Sequence, residues 1–275
     1  MKWMVSICFM TTLSVDFAYA DSVTIGCATK CDAFFHVALK RVGRMRGVKV
    51  NLVDAAQSEL GIDWANYDGI IFPGGADIDP KYYLGEIEPE LRAYTQSLDY
   101  LVNYSEEGRR RDPIEFNLLK EYFSNPQLKT LPVLGVCRGM QMLAVSQGIP
   151  LYVDIKKELG IRNRRYLYDR IMLEPGKSLM NELFSQSFKG FERHHQGIRV
   201  SYFNENAARW PQLQVTSYSN RGLIAESLEF KNRPVLGVQF HPENDFGFER
   251  NRIFGWLIDK AMERKRLNKT QVLFR

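Results

Sequence analysis

After residue 21 the chain alternates short apolar runs with longer segments of helical periodicity. This alternation is typical of a mainly parallel sheet that carries helices on both faces. Helices are predicted over 33–46, over 112–123 with Pro113 in the first turn, and from near Met140 to 147. The apolar, β-branched runs that predict buried strands occupy residues 22–26, 48–53, 70–72 and 132–136.

The second half of the chain is richer in strand signals. Residues 76–110, which precede it, lack a regular pattern, and a loop of that length in a compact domain is usually functional. We therefore expect an α/β fold with a mainly parallel central sheet flanked by helices and a small β-rich extension. The β-rich section begins at residue 152, closes with strands, and leads into a terminal helix: 213–217, 223–229, 235–240 and 246–265.

Length and composition fit an ordinary soluble protein. The 275 residues suit one large α/β domain or two small ones, and the hydrophobic and charged fractions are 45% and 25%. The formal net charge is only +5, and basic residues do not interleave with aromatic residues in one patch, so nucleic-acid binding is not expected. The run Arg109–Arg111 predicts a solvated loop, with a groove for an acidic substrate as the alternative.

Residues 1–20 predict a secretory signal peptide. A positive charge is followed by mostly apolar residues over 4–15, and Ala18 and Ala20 are the small residues that set a cleavage site after Ala20. The alternative is a hydrophobic first strand. It is weaker because residues 22–27 already supply that strand.

A signal peptide would determine both the compartment of the protein and the part of the chain that folds. The apolar run is too short to span a bilayer, and Cys8 lacks the small residue that precedes a lipidated cysteine, so no stable membrane anchor is expected. We expect the mature chain, residues 21–275, to form a single domain that is exported, either periplasmic or secreted.

Cleavage would leave three cysteines, Cys27, Cys31 and Cys137. An odd number in an oxidising compartment leaves one free thiol, and Cys137 is the obvious candidate. Whether Cys27 and Cys31 form a local disulfide stays open, because a bridge needs Cα atoms within about 7 Å. Neither cysteine has a zinc-type partner pair, so no metal site and no cofactor are expected.

Cys137 carries the strongest chemical signal. An apolar run ends at Gly135-Val-Cys137-Arg-Gly139 and a helix-forming run follows, as in a nucleophile elbow with cysteine in place of serine. The glycines allow a sharp turn, and a helix N-terminus lowers the pKa of a thiol placed there. The ordinary alternative is a buried structural cysteine behind a strand.

Two other segments supply what a cysteine nucleophile needs. A buried strand ends at His241 and Glu243, a candidate base with a carboxylate to orient it. Another strand runs into Pro73-Gly-Gly75, a rigid turn whose N–H groups can face a developing oxyanion. The strand ends in a parallel sheet share one edge, so we expect these groups to meet there.

Together these segments resemble the class I glutamine amidotransferase-like hydrolases, which have flavodoxin-like layering, and most nearly the gamma-glutamyl-gamma-aminobutyrate hydrolase family. The resemblance covers about residues 22–262. It rests on six features: Phe72-Pro-Gly-Gly-Ala-Asp77, Arg111-Asp-Pro-Ile-Glu115, Pro132-Val-Leu-Gly-Val-Cys-Arg-Gly-Met-Gln141, Glu174-Pro-Gly176, His194-His195-Gln196 and Gly237-Val-Gln-Phe-His-Pro-Glu243.

The resemblance implies a catalytic triad of Cys137, His241 and Glu243. It also implies an oxyanion hole built from the backbone N–H groups of Gly75 and Arg138.

Three further residues match positions that hold the glutamyl head in relatives, namely Gln141, His195 and Gln196. The implied partner is a small-molecule γ-glutamyl substrate, and a homodimer stays open.

The chain departs from the pattern of its relatives in two places. Relatives often carry Val-Asn-Ser where this chain has residues 190–192 followed by Arg193, and Asp169 stands where a histidine is common. These segments line the substrate cleft in relatives, so the leaving group is not fixed by the resemblance.

The expected activity is hydrolysis of a γ-glutamyl amide bond through a thioester, an omega-peptidase type of reaction. Three alternatives stay open. The first is a poly-γ-glutamyl, folate-type hydrolase. The second is an amidotransferase-like ammonia donor, which is weaker because the chain has no synthetase domain and no P-loop. The third is a non-catalytic γ-glutamyl-binding protein, which the intact triad disfavours.

Overall fold

The computed structural model describes residues 21–55, 61–161, 164–245 and 247–273, and the predicted signal peptide at 1–20 lies outside them. The strands are β1 (Asp21–Cys27), β2 (Val48–Asp54), β3 (Gly69–Phe72), β4 (Val133–Val136), β5 (Leu151–Tyr152), β6 (Arg164–Leu173), β7 (Phe188–His194), β8 (Gly197–Ile198), β9 (Leu213–Ser219), β10 (Ile224–Phe230) and β11 (Val235–Val238). The helices are α1 (Ala33–Met45), α2 (Lys81–Leu84), α3 (Pro89–Ser97), α4 (Glu106–Ser124), α5 (Arg138–Val145), α6 (Ile155–Leu159), α7 (Leu179–Leu183), α8 (Val200–Glu205) and α9 (Phe248–Leu273).

A nine-stranded sheet in the order β2-β1-β3-β4-β11-β10-β9-β6-β7 forms the centre of the fold. The strands from β2 to β11 in this order pair in parallel, and the four beyond β11 pair antiparallel as the β-rich extension. The short strands β5 and β8 form a separate antiparallel pair. The predicted α/β fold is therefore confirmed.

Alternating side chains of the parallel strands pack into two cores. On one face Ile71 and Leu134 pack against α1 and α9, where Phe35 meets Phe254 edge to face with ring centroids 6.0 Å apart. On the other face Ile70, Phe72 and Val133 pack against α4 and α5. Burial on both faces explains why the central strands β3, β4 and β11 are continuously apolar, whereas the edge strand β2 alternates.

Helix α4 differs from its prediction. It begins at Glu106, where the Ser105 hydroxyl accepts a hydrogen bond from the Gly108 N–H and caps the first turn. Pro113 therefore lies inside the helix and not in its first turn. The predicted irregular loop 76–110 also contains α2 and α3. Among the described residues, no helix is both long and apolar enough to cross a membrane.

The question of the two N-terminal cysteines is answered by the structure. Cys27, at the end of β1, forms a disulfide with Cys31, with their Cα atoms 5.8 Å apart. Cys137 is a free, buried thiol. The disulfide closes the turn that leads from β1 into α1.

Candidate active site

The candidate site lies at the carboxyl ends of β3, β4 and β11, which are neighbours in the sheet. The turn at residues 73–75 follows β3, Cys137 follows β4, and His241 follows β11. Gly74 packs against both side chains, because a Cβ placed on it would lie 3.0 Å from His241 Cε1 and 3.7 Å from Cys137 Cβ. The three segments therefore meet as expected.

Cys137 occupies a strained elbow. Its φ of 50° and ψ of −106° are rarely adopted by a residue with a Cβ, and such strain usually has a functional reason. The turn is tight enough that a Cβ on Gly135 would lie 2.7 Å from the Gly139 carbonyl, and a Cβ on Gly139 would overlap the Phe72 carbonyl. Helix α5 starts at Arg138, two residues earlier than predicted, and this places the sulfur at its N-terminus.

His241 is oriented by Glu243, whose Oε1 lies 2.6 Å from His241 Nδ1. Burial lowers the pKa of His241, but the charges of Glu243 and Cys137 outweigh burial and raise that pKa well above its usual range. Nε2 is buried, and Cys137 is one of the groups that act on this ring, so Nε2 is the atom placed to exchange a proton with the thiol.

The predicted oxyanion-hole residues flank Cys137. Arg138 is the first residue of α5, where backbone N–H groups have no intrahelical acceptor. Gly75 has φ of +155°, and a Cβ there would overlap the Arg111 guanidinium. The position therefore requires glycine.

Two buried arginines fix the backbone around Gly75. Arg111 donates to the Pro73 and Gly74 carbonyls at 2.9 and 2.8 Å. Arg138 donates to the carbonyls of residues 76 and 77, on the other side of Gly75, at 2.9 and 3.3 Å. Four charge-assisted hydrogen bonds thus hold the turn that presents the Gly75 N–H.

Buried carboxylates hold these arginines in turn. Glu115 is fully buried and accepts from Arg111 Nε at 2.9 Å and from Arg138 Nε at 3.2 Å. Asp112 Oδ1 accepts from Arg138 Nη2 at 2.7 Å. Burial raises the pKa of Glu115, but the two guanidiniums outweigh burial and lower that pKa below its usual value.

The prediction of a solvated loop at Arg109–Arg111 is wrong, because the whole run lies inside α4. Its helical spacing turns Arg111 inward, while Arg109 and Arg110 are exposed as predicted. The signal that could have shown this is the (i, i+4) spacing of Arg111 between Glu107 and Glu115.

Two compartments open from Cys137. The first has a volume of about 290 Å³, and all three predicted glutamyl-binding residues line it together with Cys137 and Gly75. The second has a volume of about 330 Å³ and contains His241 and Glu243. The second compartment is completed by residues of the disulfide-closed turn and of α1, namely Lys30, Asp32 and Phe35. The sequence did not predict a role for these three residues.

The predicted glutamyl-binding residues are tied to one another. Gln141 Nε2 donates to the Gln196 backbone carbonyl at 3.0 Å, and Gln196 Oε1 accepts from the Ile78 N–H at 3.2 Å. His195 lies between Asp77, at 2.8 Å from Nε2, and Asp154, at 3.2 Å from Nδ1. Burial lowers the pKa of His195, but the two aspartates outweigh burial and raise that pKa.

The two departures from relatives have different places in the structure. Arg193 lines both compartments and can therefore contact a bound molecule on either side of Cys137. Glu192 is fully buried behind it. Asp169 lies on β6, hydrogen-bonded to the Arg170 N–H, and is not among the described residues that line either compartment.

The overall fold is that of solved glutamine amidotransferase domains. The glutaminase domain of Trypanosoma brucei CTPS, solved with bound acivicin, superposes with a TM-score of 0.61 at 16% identity, covering 88% of this chain and 94% of that domain. The profile of the Peptidase C26 family matches residues 32–243. The chain therefore belongs to the Peptidase C26 family of glutamine amidotransferase-like hydrolases.

Individual relatives agree with this assignment. A Schizosaccharomyces pombe protein named as a putative glutamine amidotransferase is 34% identical over 185 residues, 65% of this chain and 62% of its own. Protein NtpR of Enterococcus hirae is 30% identical over 186 residues, 64% of this chain and 66% of its own. The chain thus spans somewhat less than two thirds of the length of these relatives.

Proposed function

We propose that this chain is an exported cysteine hydrolase that cleaves the γ-glutamyl amide bond of small γ-glutamyl compounds. The observation that carries the proposal is the strained Cys137 elbow beside the His241–Glu243 pair, at the junction of two compartments. Neither a structural cysteine nor a simple binding site explains a strained residue packed against an oriented histidine.

Turnover would begin with attack of the Cys137 thiolate on the δ-carbonyl of the γ-glutamyl group. The Gly75 and Arg138 N–H groups would stabilise the oxyanion, each contributing on the order of 3 kcal/mol. His241 would donate its Nε2 proton to the departing amine, while Glu243 holds the imidazole tautomer and stabilises its charge. Water activated by His241 would then hydrolyse the thioester, releasing glutamate and restoring the thiol.

The first compartment fits the glutamyl head. Its lining includes both signs of charge: Asp77, Arg193, and a His195 whose raised pKa favours the imidazolium. An α-ammonium and an α-carboxylate each find an opposite charge there. The volume of about 290 Å³ is small, which favours one amino-acid head over a long chain.

The second compartment would receive the departing amine. Asp32 accepts from two N–H groups at the start of α1, and Glu107 is paired with Arg111, so their charges are already compensated. Lys30 is a cation at its rim, and it favours an amine that carries its own carboxylate. This preference is the one expected of a gamma-glutamyl-gamma-aminobutyrate hydrolase.

The test is product analysis by mass spectrometry of the mature chain, residues 21–275. The substrate panel is glutamine, γ-glutamyl-γ-aminobutyrate, uncharged γ-glutamyl alkylamides, glutathione and a γ-linked glutamate oligomer. We expect glutamate from wild type, fastest with the carboxylate-bearing amine, and none from Cys137→Ala. Lys30→Gln should raise KM for that substrate but not for the alkylamide. Equal release by Cys137→Ala would overturn the proposal.

A further inference from the structure

A second group of titratable side chains lies beside the first compartment, between β7 and β10. Glu192 and His194 are two residues apart on β7 and so share one face of the strand, while Glu226 comes from β10. Their exposed fractions are 0%, 5% and 0%. One ligand atom from each residue lies within 4.8 Å of the other two.

The tautomer of His194 is fixed by its backbone contact. Nδ1 lies 2.8 Å from the Gln196 carbonyl oxygen, which can only accept, so Nδ1 carries a proton. Nε2 therefore presents its lone pair in the neutral ring, and it lies 2.9 Å from Glu192 Oε2. A lone pair facing a carboxylate at this distance requires a cation or an additional proton between them.

Glu226 brings a second carboxylate to the same point. Its Oε1 accepts from the Ser219 hydroxyl at 2.6 Å, and its buried Oε2 receives no hydrogen bond from a described N–H or O–H group. Two carboxyl groups and one imidazole thus meet in a buried site, where carboxylate charges are costly without compensation.

We propose that Glu192, His194 and Glu226 bind one zinc-type divalent cation that joins β7 to β10. Zn–N and Zn–O bonds of about 2.0–2.2 Å would place the three ligand atoms about 3.4 Å apart, and the present atoms already lie within 4.8 Å of one another. One imidazole with two carboxylates suits zinc better than calcium or magnesium, which prefer oxygen ligands alone. The Nδ1–H bond from His194 to a carbonyl is the second contact that metal-binding histidines usually make.

The ion would support the substrate compartment without touching the reacting atoms. His194 directly precedes His195 and Gln196, and the Gln196 carbonyl that orients His194 also accepts from Gln141. Fixing His194 therefore fixes the strand end that carries His195 and Gln196. The inference does not depend on the proposed reaction, since its readout is bound metal.

The test uses the untagged mature chain purified from zinc-supplemented medium. Zinc content is measured by inductively coupled plasma mass spectrometry, and the chelator-treated chain is then titrated with ZnCl₂ and with CoCl₂. We expect one ion per chain, a visible cobalt spectrum of a nitrogen- and oxygen-ligated ion, and a higher melting temperature with zinc than after chelation.

Matched variants locate the ion. Glu226→Gln and His194→Asn should each weaken zinc binding by at least about tenfold, because even loss of an outer partner costs that much. Glu229→Gln, a buried carboxylate on the same strand, and His36→Asn, an exposed histidine, should bind zinc like wild type.

Two results would overturn the site. The first is wild-type chain that neither binds zinc nor changes its melting temperature with zinc, which would mean that protons alone compensate the cluster. The second is equal zinc binding by His194→Asn and His36→Asn.

Discussion

Replacing Glu115 with glutamine removes one charge from the centre of the buried arginine network while keeping the size of the side chain. Its carboxylate accepts from both Arg111 and Arg138, which hold the turn at Gly75. Removing one partner of a buried ion pair costs about 3–5 kcal/mol. An amide still accepts one bond, and Asp112 still faces Arg138, so we expect the lower end, about 3 kcal/mol of unfolding free energy.

Glu107→Gln is the matched control. Glu107 accepts from the same Arg111 at 2.6 Å, but its side chain is 51% exposed, so its loss should cost less than about 1 kcal/mol. Urea unfolding of both variants and wild type at pH 7 measures the difference. The turnover number of Glu115→Gln should also fall, by up to about 10²–10³-fold if the Gly75 N–H leaves its position.

The pH dependence gives a further check. The folded pKa of Glu115 is lowered, so its contribution is complete above the pKa of an unfolded glutamate, about 4.3, and is lost as pH falls through the folded value. The difference in unfolding free energy between wild type and Glu115→Gln should therefore become smaller at acidic pH. Equal stabilities of Glu115→Gln and Glu107→Gln at pH 7 would show that the buried carboxylate does not hold the arginine network.

Three other predictions follow from the same contacts. The folded pKa of His241 is raised, so its pairing with Glu243 stabilises the fold fully below the pKa of an unfolded histidine, and this stabilisation is lost as pH rises through the folded value. Glu243→Gln removes the pairing and should slow alkylation of Cys137 by iodoacetamide near pH 6. An unchanged pH profile of the alkylation rate would contradict this. Gly139→Ala should severely destabilise the fold in thermal melts, because its Cβ overlaps a β3 carbonyl, whereas Gly85→Ala, with open space around it, should melt like wild type or slightly higher. Cys27→Ser opens a short disulfide loop and should lower the unfolding free energy by about 2 kcal/mol with the Cys137 thiol still reactive; an unchanged urea midpoint would argue against the bridge.

The sequence was sufficient to predict the parallel strands and the meeting of Cys137 with His241, because each signal lies within a few consecutive residues. A buried strand, a tight turn and a following helix are all local features. Since parallel strands end at one edge, their order in the sequence also located the site.

What the sequence missed depends on contacts between distant segments. In the sequence, Arg111 is indistinguishable from its two exposed arginine neighbours. Only the start of α4 at Glu106 shows that its side chain turns inward. Lys30 enters the second compartment only because the turn after β1 faces β11 across the site. Glu192, His194 and Glu226 form a cluster only after β7 and β10 are folded together, and no short motif spans them.

The proposed mechanism requires a covalent γ-glutamyl thioester on Cys137 during turnover. Intact-protein mass spectrometry of an acid-quenched reaction detects such a species, with the preferred panel substrate and with wild type beside Cys137→Ala. We predict a wild-type species heavier by one γ-glutamyl group, mapped by peptide digestion to Cys137, and no such species in the variant. Continued glutamate release by Cys137→Ala, or an adduct mapped to another residue, would contradict this mechanism.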